Sequence, residues 1–283
     1  MRYAIYLFTI ILSILTPLNA KTESDVFRKI EKDLDSIIVK DLSSNKTIFK
    51  KNEEKIVRPA SLTKIMTSIL AIESGKMNDV VTITKPMIDV EPTKLDLKVG
   101  DKVRLKDLVH AALIKSANDA AYSIAYYLGN DSKDKFVEKM NIKAKAIGMK
   151  HTNFSNPAGF DTPNHQTTAS DLMKLTEYAI KSKTFNSIVN LNSYSFSTLN
   201  TNRKFYVYTS NKLKRANKYI VGVKTGYTNK AGACLIARGK KDKKDVLLVM
   251  LNAENRWVNA KKALDEVVNV KKNDATKHKK AHV

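Results

Sequence analysis

Ser61 and Lys64, three positions apart in the segment SLTK, are the residues whose types and spacing best suit catalysis. A serine hydroxyl is a weak nucleophile until a base removes its proton, and side chains three positions apart lie on one face of a helix. For Lys64 to act as that base at neutral pH, its pKa must fall from about 10.4 towards 7, which burial beside another cation can achieve. The pair therefore predicts nucleophilic catalysis at a helix start, where free backbone N–H groups suit an oxyanion.

This spacing is not specific by itself, because a lysine also follows Ser43 and Ser132 by three positions. We interpret those two pairs as a turn and as the solvated start of a helix. Ser61 differs in its surroundings, since Pro59 precedes it, a strongly apolar helix follows it, and two further motifs lie downstream.

Those motifs are Ser116–Ala117–Asn118, in a predicted turn between two helices, and Lys224–Thr225–Gly226, at the end of a predicted strand. Lys224 would supply the second cation that Lys64 needs. Gly226 has no side chain and would allow a substrate to approach the strand edge closely.

Other chemistries lack support in the sequence. The five histidines form no HExxH pair and the single cysteine, Cys234, forms no CxxC, so we expect no metal. The nine glycines form neither GxGxxG nor a P-loop, and no cofactor is expected. A Ser-His-Asp triad would lack its G-x-S-x-G elbow. Cys234 lies in the apolar segment AGACLIA and is predicted to be a buried, unreactive residue.

Predicted strands at the two ends of the chain enclose predicted helices, an arrangement that favours an α+β fold. Predicted helices cover residues 61–74, 105–114, 119–128, 133–147, 170–181 and 257–268. Predicted strands cover residues 36–39, 47–49, 194–198, 205–208, 219–223, 232–238 and 246–252. We expect one antiparallel sheet formed by both chain ends and flanked by helices, with an all-helical subdomain inserted at about residues 85–185.

Residues 1–20 have the pattern of a secretory signal peptide, with Arg2 before an apolar stretch and a small residue, Ala20, at the expected cleavage point. A single membrane anchor is the alternative, although the apolar stretch is shorter than the ~20 residues that span a bilayer. The predicted organisation is a signal peptide at 1–20, a catalytic domain at 21–270 and a lysine-rich tail at 271–283. The protein would then work outside the cytoplasm, in the periplasm or cell wall.

The chain of 283 residues has a formal net charge of +22, with 50 basic and 28 acidic residues. Only 8 of the basic residues are arginine, the residue favoured for reading bases and gripping phosphates, so nucleic-acid binding is not expected. Weak association with the membrane surface or with anionic wall polymers is a further expectation. A solvated tail without a partner explains the lysines equally well.

The segments PASLTKIMT, KSANDAA and VKTGYTNKAG, in this order and spacing, resemble the penicillin-recognising serine peptidases of the β-lactamase/transpeptidase superfamily. In particular they are similar to the D-alanyl-D-alanine carboxypeptidases, which are low-molecular-mass penicillin-binding proteins. Three connecting stretches share the resemblance: FSNPAGFD, TTASDLMKL and ENRWVNAKKAL. The similarity spans about residues 33–268 and implies a β-lactamase/DD-peptidase-like fold.

The resemblance implies three catalytic residues. Ser61 would be the acylated nucleophile, Lys64 its base, and Ser116 the group that relays the proton to the leaving group. The backbone N–H groups of Ser61 and Tyr227 would form the oxyanion hole.

The resemblance also implies a set of substrate-binding residues. Asn118 would hold the amide of the substrate, and Lys224 and Thr225, followed by Gly226, would meet its terminal carboxylate. Arg256 stands where these carboxypeptidases have a carboxylate-binding arginine; a surface arginine at a helix start is the alternative.

The resemblance implies removal of the terminal D-alanine from peptidoglycan stem peptides, with β-lactam antibiotics as inhibitors. A class A β-lactamase is not favoured, because no E-x-x-L-N stretch exists and Glu177 falls within a predicted helix. Two alternatives remain open. A D-alanyl-D-alanine endopeptidase that cleaves cross-links is suggested by the short chain after the domain and by AGACLIA, whereas SANDAA favours the carboxypeptidase. A wall-binding protein with a decayed site would have lost at least one motif residue. All seven motif residues are present: Ser61, Lys64, Ser116, Asn118, Lys224, Thr225 and Gly226.

Overall fold

A five-stranded antiparallel sheet organises the fold. The structure is a computed structural model that describes residues 24–269, so the predicted signal peptide and lysine-rich tail lie outside the described residues. The strands are β1 Leu34–Asp41, β2 Lys46–Lys51, β3 Val80–Thr82, β4 Lys102–Arg104, β5 Ser193–Ser197, β6 Lys204–Tyr208, β7 Ile220–Thr228, β8 Gly232–Lys241 and β9 Lys244–Ala253. The five-stranded sheet has the strand order β2-β1-β9-β8-β7, while β3 and β4 form one small two-stranded sheet and β5 and β6 form another.

The prediction that both chain ends build the sheet is confirmed. Strand β1 pairs antiparallel with β9 from Leu34 opposite Ala253 to Asp41 opposite Val246. Strand β7 lies at one edge of the sheet and pairs only with β8. An edge strand directs alternate backbone N–H and C=O groups away from its single neighbour, where another chain can bind them.

Helices cover both faces of the sheet. They are α1 Asp25–Ile30, α2 Lys64–Glu73, α3 Lys85–Ile88, α4 Leu105–Ile114, α5 Asn118–Leu128, α6 Lys133–Ala146, α7 Ala169–Ala179, α8 Lys183–Val189, α9 Lys212–Ala216 and α10 Arg256–Val268. The six predicted helices match α2, α4, α5, α6, α7 and α10 to within a few residues. Among the described residues, no helix is both long and apolar enough to cross a membrane.

Alternation of side chains along the central strands produces two hydrophobic cores. Leu235 and Leu248 point to the face covered by α1 and α10, whereas Ile236 and Val249 point to the face covered by α2 and the other central helices. Because both faces are covered, β8 and β9 read as continuous apolar runs instead of alternating ones. The apolar helix α2 thereby lies deep in the larger core.

Two boundaries differ from the prediction in ways that matter for the site. Ser61 lies in a 3-10 turn, Ala60–Thr63, that precedes α2, and not in the α-helix itself. In a 3-10 turn, side chains at positions i and i+3 eclipse one another, so Lys64 stands directly over Ser61. The Lys224–Thr225–Gly226 motif lies within β7, which continues to Thr228, and not at the end of a strand.

The predicted all-helical insertion needs one correction, because it contains the strand β4, which pairs with β3. This strand has only three residues, and its one buried residue, Val103, is flanked by Lys102 and Arg104. Such a short segment carries too little alternation to be recognised in the sequence.

A loop that contains Gly159 and the edge strand β7 press against the 3-10 turn; no room for a side chain is left at Gly159 and little at Gly226. A Cβ added to Gly159 would lie 1.8 Å from the Ala60 carbonyl oxygen, and one added to Gly226 would lie 3.2 Å from the Ser61 nitrogen. Both glycines therefore let backbone pack directly on the backbone that carries Ser61.

We expect Gly159→Ala to destabilise the protein by roughly 3 kcal/mol or more, because a methyl group there collides with backbone that cannot move aside. Gly148→Ala is the matched control: both glycines have positive φ, +98° and +77°, but a Cβ at Gly148 meets nothing within 4 Å. In the control, the free energy of unfolding should fall only by the cost of a left-handed backbone conformation for alanine, about 1–2 kcal/mol. Urea denaturation measures both variants, and equal losses would contradict the packing explanation.

Candidate active site

A cavity of about 380 Å³ lies where the 3-10 turn, the edge strand β7 and three loops meet. The Ser61 and Ser116 segments form two of its walls, and Tyr227 forms part of a third. The full lining is Ser61, Glu91, Pro92, Thr93, Ser116, Asn118, Ala158, Gly159, Phe160, Asp161, Tyr227, Thr228 and Asn229. The lining therefore brings together Ser61 of the first motif, Ser116 and Asn118 of the second, and Tyr227, which directly follows the third.

The hydroxyl of Ser61 lies within hydrogen-bond distance of the Lys64 amine, with 2.9 Å between Oγ and Nζ. Lys64 is fully buried, and its Nζ also donates to the carbonyl oxygen of Ala158 at 2.7 Å. The amine is thus held by one carbonyl and aimed at one hydroxyl.

Burial lowers the pKa of Lys64 well below its usual value, and the positive charge of Lys224 lowers it further, while Asp119 acts weakly in the opposite direction. A neutral amine has a lone pair that can accept the serine proton. The arrangement therefore favours the neutral form of Lys64, which can act as the base for Ser61.

Lys224 is the second buried amine of the site, with 1% of its surface exposed. Its Nζ donates to Ser116 Oγ at 2.8 Å and to the Thr225 carbonyl oxygen at 2.9 Å. Burial and the nearby Arg256 lower its pKa to about 7. A group with that pKa can exchange a proton with its partners near neutral pH.

Ser116 occupies the turn between α4 and α5 with a φ of +69°. Such a left-handed conformation is unfavourable for a residue with a side chain and persists only where the surroundings impose it. Here the turn is fixed by the Ala117 N–H, which donates to the Ala111 carbonyl at 3.2 Å. The result is a hydroxyl that lines the cavity and contacts Lys224.

Asn118 presents an acceptor to the cavity. Its side-chain amide nitrogen donates to the carbonyl oxygens of Glu91 and Pro92, at 2.9 Å each, so both amide hydrogens are used. The side-chain oxygen then remains to accept a hydrogen bond from an N–H group of a ligand.

The Thr225 hydroxyl bonds with the Ser210 hydroxyl at 2.7 Å, which fixes its orientation on the edge strand. Gly226 backs directly onto the Ser61 turn. Tyr227 is 63% exposed at the rim of the cavity.

Arg256 forms hydrogen bonds to backbone carbonyls at the edge of the sheet. Neither of the two interpretations of this residue, a carboxylate-binding arginine or a surface arginine at a helix start, predicted these bonds. Its NH1 group donates to the carbonyl oxygens of Gly226, at 2.6 Å, and Cys234, at 3.0 Å. The guanidinium also lies 4.6 Å from the centre of the Trp257 ring. It is partly buried, and its charge contributes to the lowered pKa of Lys224. Cys234 itself is buried, and burial raises the pKa of its thiol to about 11.

The loop that positions Lys64 lies within the segment FSNPAGFD, for which no functional role was predicted. The Asn156 side-chain oxygen accepts from the N–H groups of Ala158, Gly159 and Phe160, at 3.1, 2.7 and 3.0 Å. This ring of bonds fixes the Ala158 carbonyl that holds Lys64. An Asn-Pro-x-Gly sequence is a turn signal that could have drawn attention to the loop.

Two other polar contacts join this loop to the rest of the site. The Thr67 hydroxyl on α2 donates to the Pro157 carbonyl at 2.7 Å. The Asp161 carboxylate accepts from the Thr228 hydroxyl at 2.8 Å and from the Lys230 N–H at 3.2 Å, which links the loop to the end of β7. Across residues 24–269, no cluster of three or more His, Cys, Asp or Glu side chains suits a metal ion.

The comparisons with known proteins agree with this geometry. The family model described as D-alanyl-D-alanine carboxypeptidase (peptidase S11) matches residues 20–255. A D-alanyl-D-alanine carboxypeptidase of Bacillus subtilis is 30% identical over 239 residues, which cover 83% of this chain and 61% of that relative. A D-alanyl-D-alanine endopeptidase of Escherichia coli is 34% identical over 241 residues, which cover 78% of this chain and 72% of that relative. The chain thus spans less than two thirds of the length of the Bacillus protein.

Solved structures share the fold. The crystal structure of the Streptomyces K15 DD-transpeptidase matches with a TM-score of 0.78 and 25% identity, covering 82% of this chain and 96% of that one. A D-alanyl-D-alanine carboxypeptidase from Francisella tularensis matches with a TM-score of 0.75 and 24% identity, covering 84% of this chain and 70% of that one. The predicted α+β fold of the DD-peptidase type is confirmed.

The lowered pKa of Lys224 predicts a pH-dependent stability. Between about pH 7 and 10.5 the unfolded chain binds a proton at this lysine that the folded chain does not, so the free energy of unfolding rises with pH. The contribution is at most about 1.4 kcal/mol per pH unit. We expect Lys224→Met to show a smaller rise than the wild type in urea denaturation between pH 7.5 and 9.5, because only the Lys224 part is lost and Lys64 keeps its own contribution.

Lys181→Met is the matched control, because Lys181 is exposed in the turn after α7. It should follow the wild-type pH dependence. If Lys224→Met and the wild type showed parallel curves, Lys224 would be charged in the folded protein throughout this range.

Proposed function

The chain belongs to the D-alanyl-D-alanine carboxypeptidase family, and we propose that it removes the terminal D-alanine from peptidoglycan stem peptides through an acyl-enzyme on Ser61. The observation that carries this proposal is the contact of 2.9 Å between Ser61 Oγ and the amine of Lys64, which is fully buried and has a pKa well below its usual range. No metal or cofactor is needed for this reaction.

Acylation begins when Ser61 Oγ attacks the carbonyl carbon of the penultimate D-alanine and its proton passes to Lys64 Nζ. The peptide C–N bond then breaks, and the proton that Lys64 took from Ser61 passes to the leaving nitrogen through Ser116, whose hydroxyl also contacts Lys224 at 2.8 Å. Free D-alanine leaves, and Ser61 keeps the acyl group as an ester. A water molecule then adds its hydroxyl to the acyl carbon and its proton to Ser61, which restores the enzyme.

The tetrahedral intermediate carries a negative charge on the former carbonyl oxygen. We assign its stabilisation to the backbone N–H groups of Ser61 and Tyr227, which come from the 3-10 turn and from the edge strand that packs on it. The close approach of Gly226 to the Ser61 nitrogen supports this assignment, because it brings the two backbone segments together. Loss of one such donor typically slows the reaction about 10²–10³-fold.

Substrate binding is assigned to residues on either side of Ser61. The Asn118 side-chain oxygen would accept the N–H of the stem peptide, and Lys224 and Thr225 would meet its terminal carboxylate. Arg256 would contribute positive charge from behind the strand, since its NH1 group is occupied by two carbonyls. Its part is therefore to hold β7 and to attract the carboxylate.

β-Lactams should act as inhibitors, because the sequence lacks the E-x-x-L-N stretch that carries the deacylating glutamate of class A β-lactamases. Glu177, on α7, is engaged in an ion pair with Lys40 at 2.6 Å and does not line the cavity. Asp161 lines the cavity but accepts hydrogen bonds from Thr228 and Lys230. A penicilloyl-enzyme would therefore persist, in contrast to a β-lactamase.

The second candidate is a D-alanyl-D-alanine endopeptidase that cleaves peptidoglycan cross-links. The E. coli relative with that name supports it, at 34% identity. The same nucleophile, base and oxyanion hole would serve both reactions, which differ in what is attached to the D-alanine that leaves. For either reaction we propose a site of action in the periplasm or cell wall, after cleavage of residues 1–20. Without those residues the chain has 49 basic and 28 acidic residues, and the charge of +21 would favour weak association with anionic surfaces.

Incubation with labelled penicillin and with a D-Ala-D-Ala pentapeptide tests the proposal. We expect mass spectrometry to find a stable adduct on Ser61 and release of one D-alanine per pentapeptide, since both need the same acylation. Ser61→Ala should abolish both the penicillin adduct and the release of D-alanine. Ser43→Ala, a change at an exposed serine with the same spacing to a lysine, should leave both unchanged.

An adduct with an untouched pentapeptide and a cleaved cross-linked dimer would favour the endopeptidase. Absence of any adduct on the folded wild type would contradict both candidates.

A further inference from the structure

A chain of hydrogen bonds runs from His165 to the peptide group that carries the Ser61 N–H. His165 Nε2 lies 2.9 Å from Thr63 Oγ1, which lies 2.8 Å from the carbonyl oxygen of Ala60. His165, Thr63 and Ala60 are fully buried, and neither His165 nor Thr63 lines the cavity. The chain therefore approaches the Ser61 turn from behind.

The direction of these bonds is fixed by the backbone. The N–H of Ser155 can only donate, and it lies 3.0 Å from His165 Nδ1, so Nδ1 is the acceptor. Burial lowers the pKa of His165 to about 4; the charge of Arg58 contributes to the shift, and Asp161 opposes it. The ring is therefore neutral at pH 7 and carries its hydrogen on Nε2. Nε2–H then donates to Thr63 Oγ1, whose own hydrogen is left for the Ala60 carbonyl.

The Ala60 carbonyl and the Ser61 N–H are the two ends of one planar peptide group and point in opposite directions. A hydrogen bond accepted by the carbonyl orients this plane and makes the N–H a stronger donor, since linked hydrogen bonds strengthen one another. The Ser61 N–H is one of the two groups assigned above to the oxyanion.

The orientation of this peptide group needs such support. Ala60 has a φ of +48°, a left-handed conformation that costs a residue with a side chain about 1–2 kcal/mol. Gly159 packs on the same carbonyl, at a distance that leaves no room for a Cβ. The Thr63 hydroxyl supplies a directional bond to this carbonyl, which packing alone does not give.

We propose that His165 and Thr63 are positioning residues for acylation, which orient and polarise the Ala60–Ser61 peptide group so that its N–H stabilises the oxyanion. The inference rests on the proposed function, because it needs Ser61 to be acylated. Its rival is a purely structural role, in which the His165 contact only ties the loop before α7 to the start of α2.

Thr63→Val and Thr63→Ser separate these roles. Valine keeps the buried shape and removes the hydroxyl, whereas serine keeps the hydroxyl and removes a methyl group. We expect the maximal rate of acylation by a reporter penicillin to fall roughly tenfold in Thr63→Val, with the half-saturating concentration unchanged. Thr63→Ser should recover most of the rate, although its loss of packing is the greater.

A spectroscopic signature distinguishes polarisation from a change in fold. Hydrogen bonds in an oxyanion hole weaken the ester carbonyl of an acyl-enzyme and lower its stretching frequency. Difference infrared spectra with a ¹³C-labelled penicillin carbonyl should show this band at higher frequency in Thr63→Val than in the wild type and Thr63→Ser. An unshifted band would overturn the inference, even if acylation were slower.

His165 offers a second pair of variants, which serves if Thr63→Val fails to fold. Glutamine can place an N–H donor near the position of Nε2, whereas asparagine places an acceptor near Nδ1 and leaves Thr63 without its donor. We expect His165→Gln to retain more of the acylation rate than His165→Asn, with the same order in the carbonyl frequencies. Equal losses in the two variants would overturn the inference.

The wild type separates this inference from the proposed function. If the wild type forms no adduct at Ser61, the proposed function fails and the inference fails with it. If the wild type is acylated and Thr63→Val matches it in rate and spectrum, the inference alone fails.

Discussion

Two lysine side chains, Lys64 and Lys224, are buried side by side with no carboxylate within ion-pair distance among residues 24–269, and the site depends on this arrangement. Moving an unpaired ammonium group out of water costs several kcal/mol, and a buried lysine avoids much of that cost by releasing its proton. The charge of Lys224 also raises the cost of charging Lys64. The free-energy cost of burying a charged Lys64 therefore favours the neutral amine, which can accept the proton of the Ser61 hydroxyl.

The rest of the structure shields these two amines from water and directs them at their hydrogen-bond partners. Lys64 lies at the start of α2 in the larger core, and its second contact, the Ala158 carbonyl, is fixed by Asn156. Lys224 is held on the edge strand β7, with Ser116 reaching it from the turn between α4 and α5. These segments are far apart in sequence, so the site exists only when the sheet and the central helices have packed together. Glycines at positions 159 and 226 allow the final approach of backbone to backbone.

The sequence predicted the sheet from both chain ends, the main helices and the meeting of the three motifs, because apolar periodicity and motif spacing are local signals. It did not predict the 3-10 turn at Ser61, the short strand β4, or the contacts of Arg256 with the Gly226 and Cys234 carbonyls. Every residue has a backbone carbonyl, so the pattern of side chains does not predict which carbonyls accept hydrogen bonds. The contact of His165 with Thr63 joins residues 102 positions apart and was equally out of reach.

The pH dependence of Ser61 acylation tests most directly the claim that Lys64 has a pKa well below that of an exposed lysine. The second-order rate constant for a reporter penicillin would be measured from pH 5 to 10.5, with the folded state monitored at each pH. The account predicts that the rate constant reaches its plateau well below the usual pKa of a lysine amine, 10.5. A rate constant that kept rising about tenfold per pH unit up to pH 10 would mean that Lys64 keeps the pKa of an exposed lysine, and would contradict the account.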